Sequence, residues 1–207
     1  MEIFYYKLPF EHIIIKDFFN NEELKEVNSE IDKITNFKVI LSNLLANKSG
    51  TAKKDGKLLA QRTAFFIEEI FHKNFSKSKI YTHATKPFKE PLVNEISENS
   101  TFGVCLRSIN FTSLLVSLYK DSDYYLPHPD KSLLTGTCFI SRNIDNITGG
   151  ELYFPDYNDF KILPEFNTFI LFPSHTVHGV LPVNIIDKDT DEETVRISLN
   201  MFTYVLP

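Results

Sequence analysis

Three stretches in the C-terminal half carry residue types that could do chemistry together: His128-Pro129-Asp130, His178, and Arg196-Ile197-Ser198. Two imidazoles and one carboxylate make the facial set that holds non-haem Fe(II) while leaving coordination positions open. On a β-strand, residues i and i+2 point to the same face. His128 and Asp130 can therefore offer an imidazole and a carboxylate to one metal, provided the strand continues through Pro129. The third ligand must come from a distant strand, and His175 and His178 are the candidates. His178 leads into Gly179-Val180-Leu181-Pro182-Val183, apolar surroundings that suit a ligand facing a barrel interior. His175 follows Pro173-Ser174 in a predicted turn and is expected to be exposed, so His178 is favoured. His12, His72 and His83 have no partners at ligand spacing.

These residues need strands to position them. From about Thr112 the chain becomes rich in β-branched and aromatic residues. Eight strands are predicted: Ser113–Tyr119, Tyr124–Pro127, Leu133–Arg142, Glu151–Phe154, Phe160–Leu163, Thr168–Phe172, Val177–Val183 and Val195–Val205. Turn signals separate them, among them Asn143 to Gly150 and the acidic run Asp187 to Glu193. The first half reads as an opening strand over Glu11–Phe19, then a helix capped by Asn20 with Glu23 as its capping-box partner. Leu24, Val27, Ile31 and Ile34 carry that helix to about Thr35. A second helix is predicted from Leu58 to about Lys73, and a short one after Pro91. Helices first and strands after give an α+β, mainly β architecture: a double-sheet jelly roll of eight strands buttressed by N-terminal helices. No repeat or linker divides it. A single domain over 1–207 is expected, with 1–110 as buttress and first strands and 111–207 as jelly-roll core.

Composition narrows the class. Hydrophobic residues make up 43% of the 207 residues and aromatics 14%, which is globular and not disordered. No apolar stretch approaches the roughly 20 residues that span a bilayer. The N-terminus lacks a basic region followed by an apolar one, so no signal peptide is expected. Two cysteines, Cys105 and Cys138, are too few for a disulfide framework. A soluble, cytoplasmic protein is the expectation. Net charge is −5, with 7 basic against 13 acidic side chains over residues 101–207. That half is a poor surface for a phosphate backbone, so a nucleic-acid partner is not expected. A basic cluster at Lys48, Lys53, Lys54 and Lys57 reads as a solvated loop. Arg142 could reach the barrel mouth as a substrate contact.

Read in order, the motifs resemble the Fe(II)/2-oxoglutarate-dependent oxygenases, and within them the prolyl 4-hydroxylase-like branch. Tyr119 lies nine residues before His128. Gly149-Gly150-Glu151-Leu152-Tyr153-Phe154-Pro155 is similar to a Gly-Gly-x-Leu-x-Phe-Pro signature. His178 with Pro182-Val183 is similar to His-x-x-x-Pro-Val, and Arg196-Ile197-Ser198-Leu199 closes the set. The resemblance covers 112–205 well and 9–35 loosely. It implies Fe(II) on His128, Asp130 and His178, with 2-oxoglutarate and O2 taking the open positions. Arg196 would pair with the far carboxylate of 2-oxoglutarate, for which a guanidinium fork is suited. Ser198 and Tyr119 would add hydrogen bonds. The reaction implied is hydroxylation of an unactivated C–H, yielding succinate and CO2, on a peptide or small-molecule substrate that is prolyl or proline-like. Where family members often place a Trp after the anchoring arginine, this chain has Phe202. The gap from His178 to Arg196 is also longer than is common. A cupin-like metal-binding isomerase or sensor without 2-oxoglutarate uses the same ligand types, but leaves Arg196-x-Ser198 without a task.

Overall fold

The computed structural model describes residues 1–36, 51–190 and 195–207. Strand β1 (Glu2–Tyr6) pairs with β2 (His12–Lys16), and α1 (Asn21–Asn36) follows. The predicted cap forms as read. Asn20 Oδ1 accepts from the backbone N–H groups of Glu22 and Glu23 at 3.0 and 2.9 Å, and Glu23 Oε2 accepts from Asn20 N–H at 2.9 Å. Next come a small hairpin, β3 (Lys53–Lys54) with β4 (Lys57–Leu58), then β5 (Ala60–Gln61) and β6 (Thr63–Phe66). Short helices, including Lys79–Ala84 and the expected one after Pro91 at Leu92–Asn99, lead to the strand-rich half. There the order is β7 (Phe111–Tyr119), β8 (Tyr124–His128), β9 (Leu134–Phe139), β10 (Ile147–Gly149), β11 (Leu152–Phe154), β12 (Phe160–Ile162), β13 (Thr168–Pro173), β14 (His178–Val180), β15 (Val183–Ile185) and β16 (Arg196–Tyr204).

All eight strands expected in the core form: β7, β8, β9, β11, β12, β13, β14 and β16. They lie in two facing sheets of the double-stranded β-helix. The larger has the order β1-β2-β13-β9-β16-β7-β6 and the smaller β12-β11-β14-β8-β5. The expected strand Val177–Val183 is interrupted around Pro182, which has no N–H to give a ladder. Beyond it the chain resumes as β15, which pairs with β10 inside the stretch read as a turn.

The helix expected over Leu58–Lys73 does not form. Leu59, Phe66 and Ile70 satisfy a helical spacing, but the segment is drawn out along the sheets instead. Thr63 to Phe66 takes the edge of β7, from Thr63↔Leu118 to Phe66↔Leu115. The Leu59 carbonyl accepts from Leu126 N–H at 2.8 Å. Only Ile67–Phe71 is α-helical, and His72 at φ +48° ends it. An open strand edge outweighs a weak local preference.

Alternation along the larger sheet separates its two faces. On β16, Ile197, Leu199 and Met201 are buried in one core with Val27 and Ile31 of α1, Ile80, Val93 and Ile96. Leu114 and Val116 of β7, Cys138 of β9 and Phe169 and Leu171 of β13 join them. The opposite positions face the smaller sheet, where Phe139, Ile170 and Phe172 pack on Leu152, Phe154 and Ile162. The helices thus seal one face, and the other is left for chemistry. Truncating a buried leucine such as Leu199 to alanine would cost about 2–5 kcal/mol.

Candidate active site

Strands β8 and β14 are antiparallel neighbours, and their register sets His178 directly opposite His128. The two rings lie 4.8 Å apart. Each Nδ1 sits against a backbone carbonyl oxygen two residues earlier: Leu126 at 2.9 Å for His128, and Thr176 at 2.8 Å for His178. A carbonyl only accepts, so both Nδ1 atoms carry the proton and both Nε2 atoms present a lone pair. Asp130 completes the group, with Oδ1 3.6 Å from Nε2 of His128 and Oδ2 3.4 Å from Nε2 of His178. The ligand atoms of the three lie within 4.8 Å of one another. This donor set fits a divalent transition metal with open positions. His175 is exposed and apart from it.

The surroundings favour a neutral ring at His128. Burial, and then the neighbouring His178, pull the pKa of His128 down to about 4. Tyr125 stacks on His128 with ring centres 3.8 Å apart, and the guanidinium of Arg62 lies over the Tyr125 ring at 5.0 Å. Phe172 packs edge-on against His178 at 5.0 Å. One expectation changes in detail: β8 ends at His128 and does not run through Pro129. Asp130 is fixed instead by its N–H to the Ser174 carbonyl at 2.9 Å and by Thr135 Oγ1, which donates to Oδ2 at 2.7 Å.

A cleft of about 470 Å³, counted out to its open mouth, lies over this group. Arg196 lies at its inner end, 1% exposed. Its Nε donates to the Gly150 carbonyl at 2.7 Å, and its guanidinium lies over the rings of Tyr119 and Phe139 at 4.7 and 5.1 Å. Burial pulls its pKa down from the usual guanidinium value, against the effect of Tyr119 and Glu151. Its Nη1 is buried with no hydrogen-bond partner. A buried charged donor left unsatisfied is costly, so the cleft is built to receive an anion there. The Gly149-Gly150 pair explains itself: both have positive φ, and a Cβ on Gly150 would lie 2.7 Å from Cδ of Arg196. Glycine lets the arginine lie across the backbone.

The cross-strand register carries Ser198 to Ser117 and Asn200 to Leu115, all on the cleft wall. Tyr119, Ser198 and Phe202 also line the cleft. Arg142 does not; it turns outward, ion-paired to Asp32 of α1, and its backbone bridges Val195. Lys53, Lys54 and Lys57 are exposed in the β3–β4 hairpin, while Lys48 lies outside the described residues. Sequence reasoning passed over Arg62, Tyr125, Thr135, Thr137 and Asn200. Of these, Asn200 carried a signal: it follows Arg196 and Ser198 at the same i+2 spacing. In the structure its Nδ2 donates to Ser117 Oγ at 3.1 Å and to Ser198 Oγ at 3.3 Å.

Fold and site together resemble those of the 2-oxoglutarate-dependent dioxygenases, which use Fe(II), 2-oxoglutarate and O2. Residues 114–204, which hold the triad, Arg196 and nearly the whole cleft, match the model of the 2OG-Fe(II) oxygenase superfamily. No curated protein sequence matches the chain. Among solved structures it is similar to a Pseudomonas putida prolyl-4-hydroxylase, with TM-score 0.58, 11% identity, and 95% of this chain and 93% of that one covered. It is also similar to a viral collagen prolyl hydroxylase from Paramecium Bursaria Chlorella virus-1, solved with 2-oxoglutarate (TM-score 0.51, 18% identity, 94% and 96% covered). A third is a Trichoplax adhaerens prolyl hydroxylase in complex with a hypoxia inducible factor peptide fragment (TM-score 0.54, 16% identity, 94% and 83% covered). At these identities the likeness is one of fold. Among the described residues no helix is long and apolar enough to cross a membrane.

Proposed function

We propose that this chain hydroxylates an unactivated C–H of a prolyl residue or a proline-like small molecule, converting 2-oxoglutarate to succinate and CO2. The observation that carries the reading is the pairing of a His128-Asp130-His178 group with a buried arginine whose Nη1 faces no partner. His128, Asp130 and His178 would hold Fe(II), which when bound would activate O2, the oxidant of the reaction. Arg196 would take the far carboxylate of 2-oxoglutarate as a two-pronged pair, with Ser198 and Tyr119 adding hydrogen bonds. That arrangement sets the direction in which the cosubstrate enters and keeps its charge out of water. Phe202, half-buried and 6.5 Å from the ring of Phe66, would form an apolar wall for the substrate. A metal-binding isomerase or sensor would leave Arg196 buried at a cost and unused.

The test is turnover of purified protein with Fe(II), ascorbate and 2-oxoglutarate, against prolyl peptides and free proline analogues. Succinate should form in step with a substrate that gains one oxygen atom. Arg196→Ala should abolish dependence on 2-oxoglutarate in the micromolar range. Cosubstrate consumption unaffected by Arg196→Ala would sink the site assignment. Succinate formed only with non-prolyl substrates would leave the dioxygenase standing and remove the prolyl part.

A further inference from the structure

Asp130 stands outside any strand, and its carboxylate is held by a chain of hydroxyls. Thr135 Oγ1 lies 2.7 Å from Asp130 Oδ2, Ser174 Oγ lies 2.8 Å from Thr135 Oγ1, and Ser132 Oγ lies 2.6 Å from Ser174 Oγ. Thr135 and Ser174 are buried, at 2% and 0% exposure. Each hydroxyl has one proton to give, and an ionised carboxylate has none. The direction of the chain is therefore fixed from its end. Thr135 must donate to Asp130, so Ser174 must donate to Thr135, while Ser132 shares its one proton between Ser174 and the Leu134 carbonyl at 3.3 Å. Hydrogen bonds in series polarise one another, which strengthens the last of them.

We propose that Thr135 is a positioning residue that restricts Asp130 to ligating the metal through Oδ1 alone, with Ser174 setting the direction of its proton. The proposal rests on the reading of the site given above. Oδ2 is occupied by a charge-assisted hydrogen bond, so it is the poorer metal donor. A carboxylate free to turn could bind through both oxygens and close a position that a cosubstrate or O2 needs. The hydroxyl chain keeps that position open. Thr135 itself is placed by β9, opposite Phe172 of β13 and Phe202 of β16. Its orientation is therefore set by the sheet and not by the metal.

The experiment uses Mn(II) as the probe, with titration of the full chain and water-proton relaxation of the bound ion. Three protein ligands leave three of six positions for water. Thr135→Val keeps the shape and removes the hydroxyl; relaxivity per bound Mn(II) should fall by about a third, and affinity by about ten-fold. Thr135→Ser should stay within about two-fold of wild type. Ser174→Ala, which leaves the last hydrogen bond but not its direction, should fall in between and carries the test if Thr135→Val does not fold. Unchanged relaxivity in Thr135→Val overturns the proposal even if affinity drops, because Thr135 would then act through packing alone. A Thr135→Ser variant as impaired as Thr135→Val overturns it too. Wild type that binds no Mn(II) would instead overturn the reading of the site, and this proposal with it.

Discussion

Gly150→Ala should damage the arginine seat without touching the metal group, and the structure gives the size of the effect. Gly150 has φ +69°, a conformation that costs an L-residue about 1–2 kcal/mol. The new methyl would lie 2.7 Å from Cδ and 3.0 Å from Nε of Arg196, and 3.0 Å from Cγ2 of Val183. Arg196 is packed against the Tyr119 and Phe139 rings, so it cannot yield by swinging into open space. Relief must come from breaking the 2.7 Å bond from Nε to the Gly150 carbonyl, a charged hydrogen bond worth about 1.5–3 kcal/mol. The sum is about 2.5–5 kcal/mol, or roughly 5–20 °C in Tm for a chain of this length. A guanidinium displaced by about an ångström loses one prong of a carboxylate pair. The KM for 2-oxoglutarate should then rise ten- to a hundred-fold, about 1.4–2.7 kcal/mol. Gly56→Ala is the control, because Gly56 has φ +76° with nothing within 4 Å of an added Cβ. It should show the backbone cost alone and an unchanged KM. Melting curves and the 2-oxoglutarate dependence of turnover at saturating Fe(II) read both quantities. Equal melting losses in the two variants, with KM unmoved in Gly150→Ala, would refute the reasoning.

His178→Ala should abolish the visible charge-transfer band that Fe(II) and 2-oxoglutarate give under anaerobic conditions, while His175→Ala should keep it. A band lost in both variants would mean that His175 matters to the site. Arg142→Ala should leave turnover within about two-fold of wild type and cost no more than about 1 kcal/mol, the range for an exposed ion pair. A many-fold loss of turnover, with melting unchanged, would return Arg142 to the substrate path. Glu68 accepts from Leu114 N–H at 3.0 Å, and burial, then Glu69, hold its pKa above the usual value. The fold therefore keeps that proton longer than the unfolded chain does, and stability falls as pH rises from about 4.5 through the raised pKa. Glu68→Gln keeps an acceptor for Leu114 and cannot ionise. It should raise Tm at pH 7 by a few degrees and flatten this part of the profile; a lower Tm at pH 7 would count against the argument.

The strands of the cleft were legible because their residues alternate over long runs, and β7 and β16 are nine residues each. The same alternation placed Arg196 and Ser198 on one face, and the apolar context of His178 separated it from His175. What was hidden depends on partners far away in the chain. Thr63 to Phe66 becomes strand because β7 offers it an edge, and no local pattern records that edge. The Thr135–Ser174 contact joins residues 39 apart, and serine and threonine occur too often for such a pair to stand out. Arg142 lies three residues beyond β9, in a lone bridge to Val195, and its pairing with Asp32 of α1 decides its direction. Neither is visible in the order of residues.

The two faces of β16 divide the labour by parity. Positions 196, 198, 200 and 202 line the cleft, and 197, 199 and 201 lie in the core shared with the helices. Because the pleat has a period of two, losing a single residue inside this strand would exchange the roles of every position beyond the gap. Leucine and methionine would face the cosubstrate, and asparagine would enter the apolar layer. Point substitutions at even positions can retune the chemistry with the odd ones untouched, whereas a one-codon deletion would lose both at once. Divergence of this strand is therefore confined to replacement, and changes in length are left to the turns at either end.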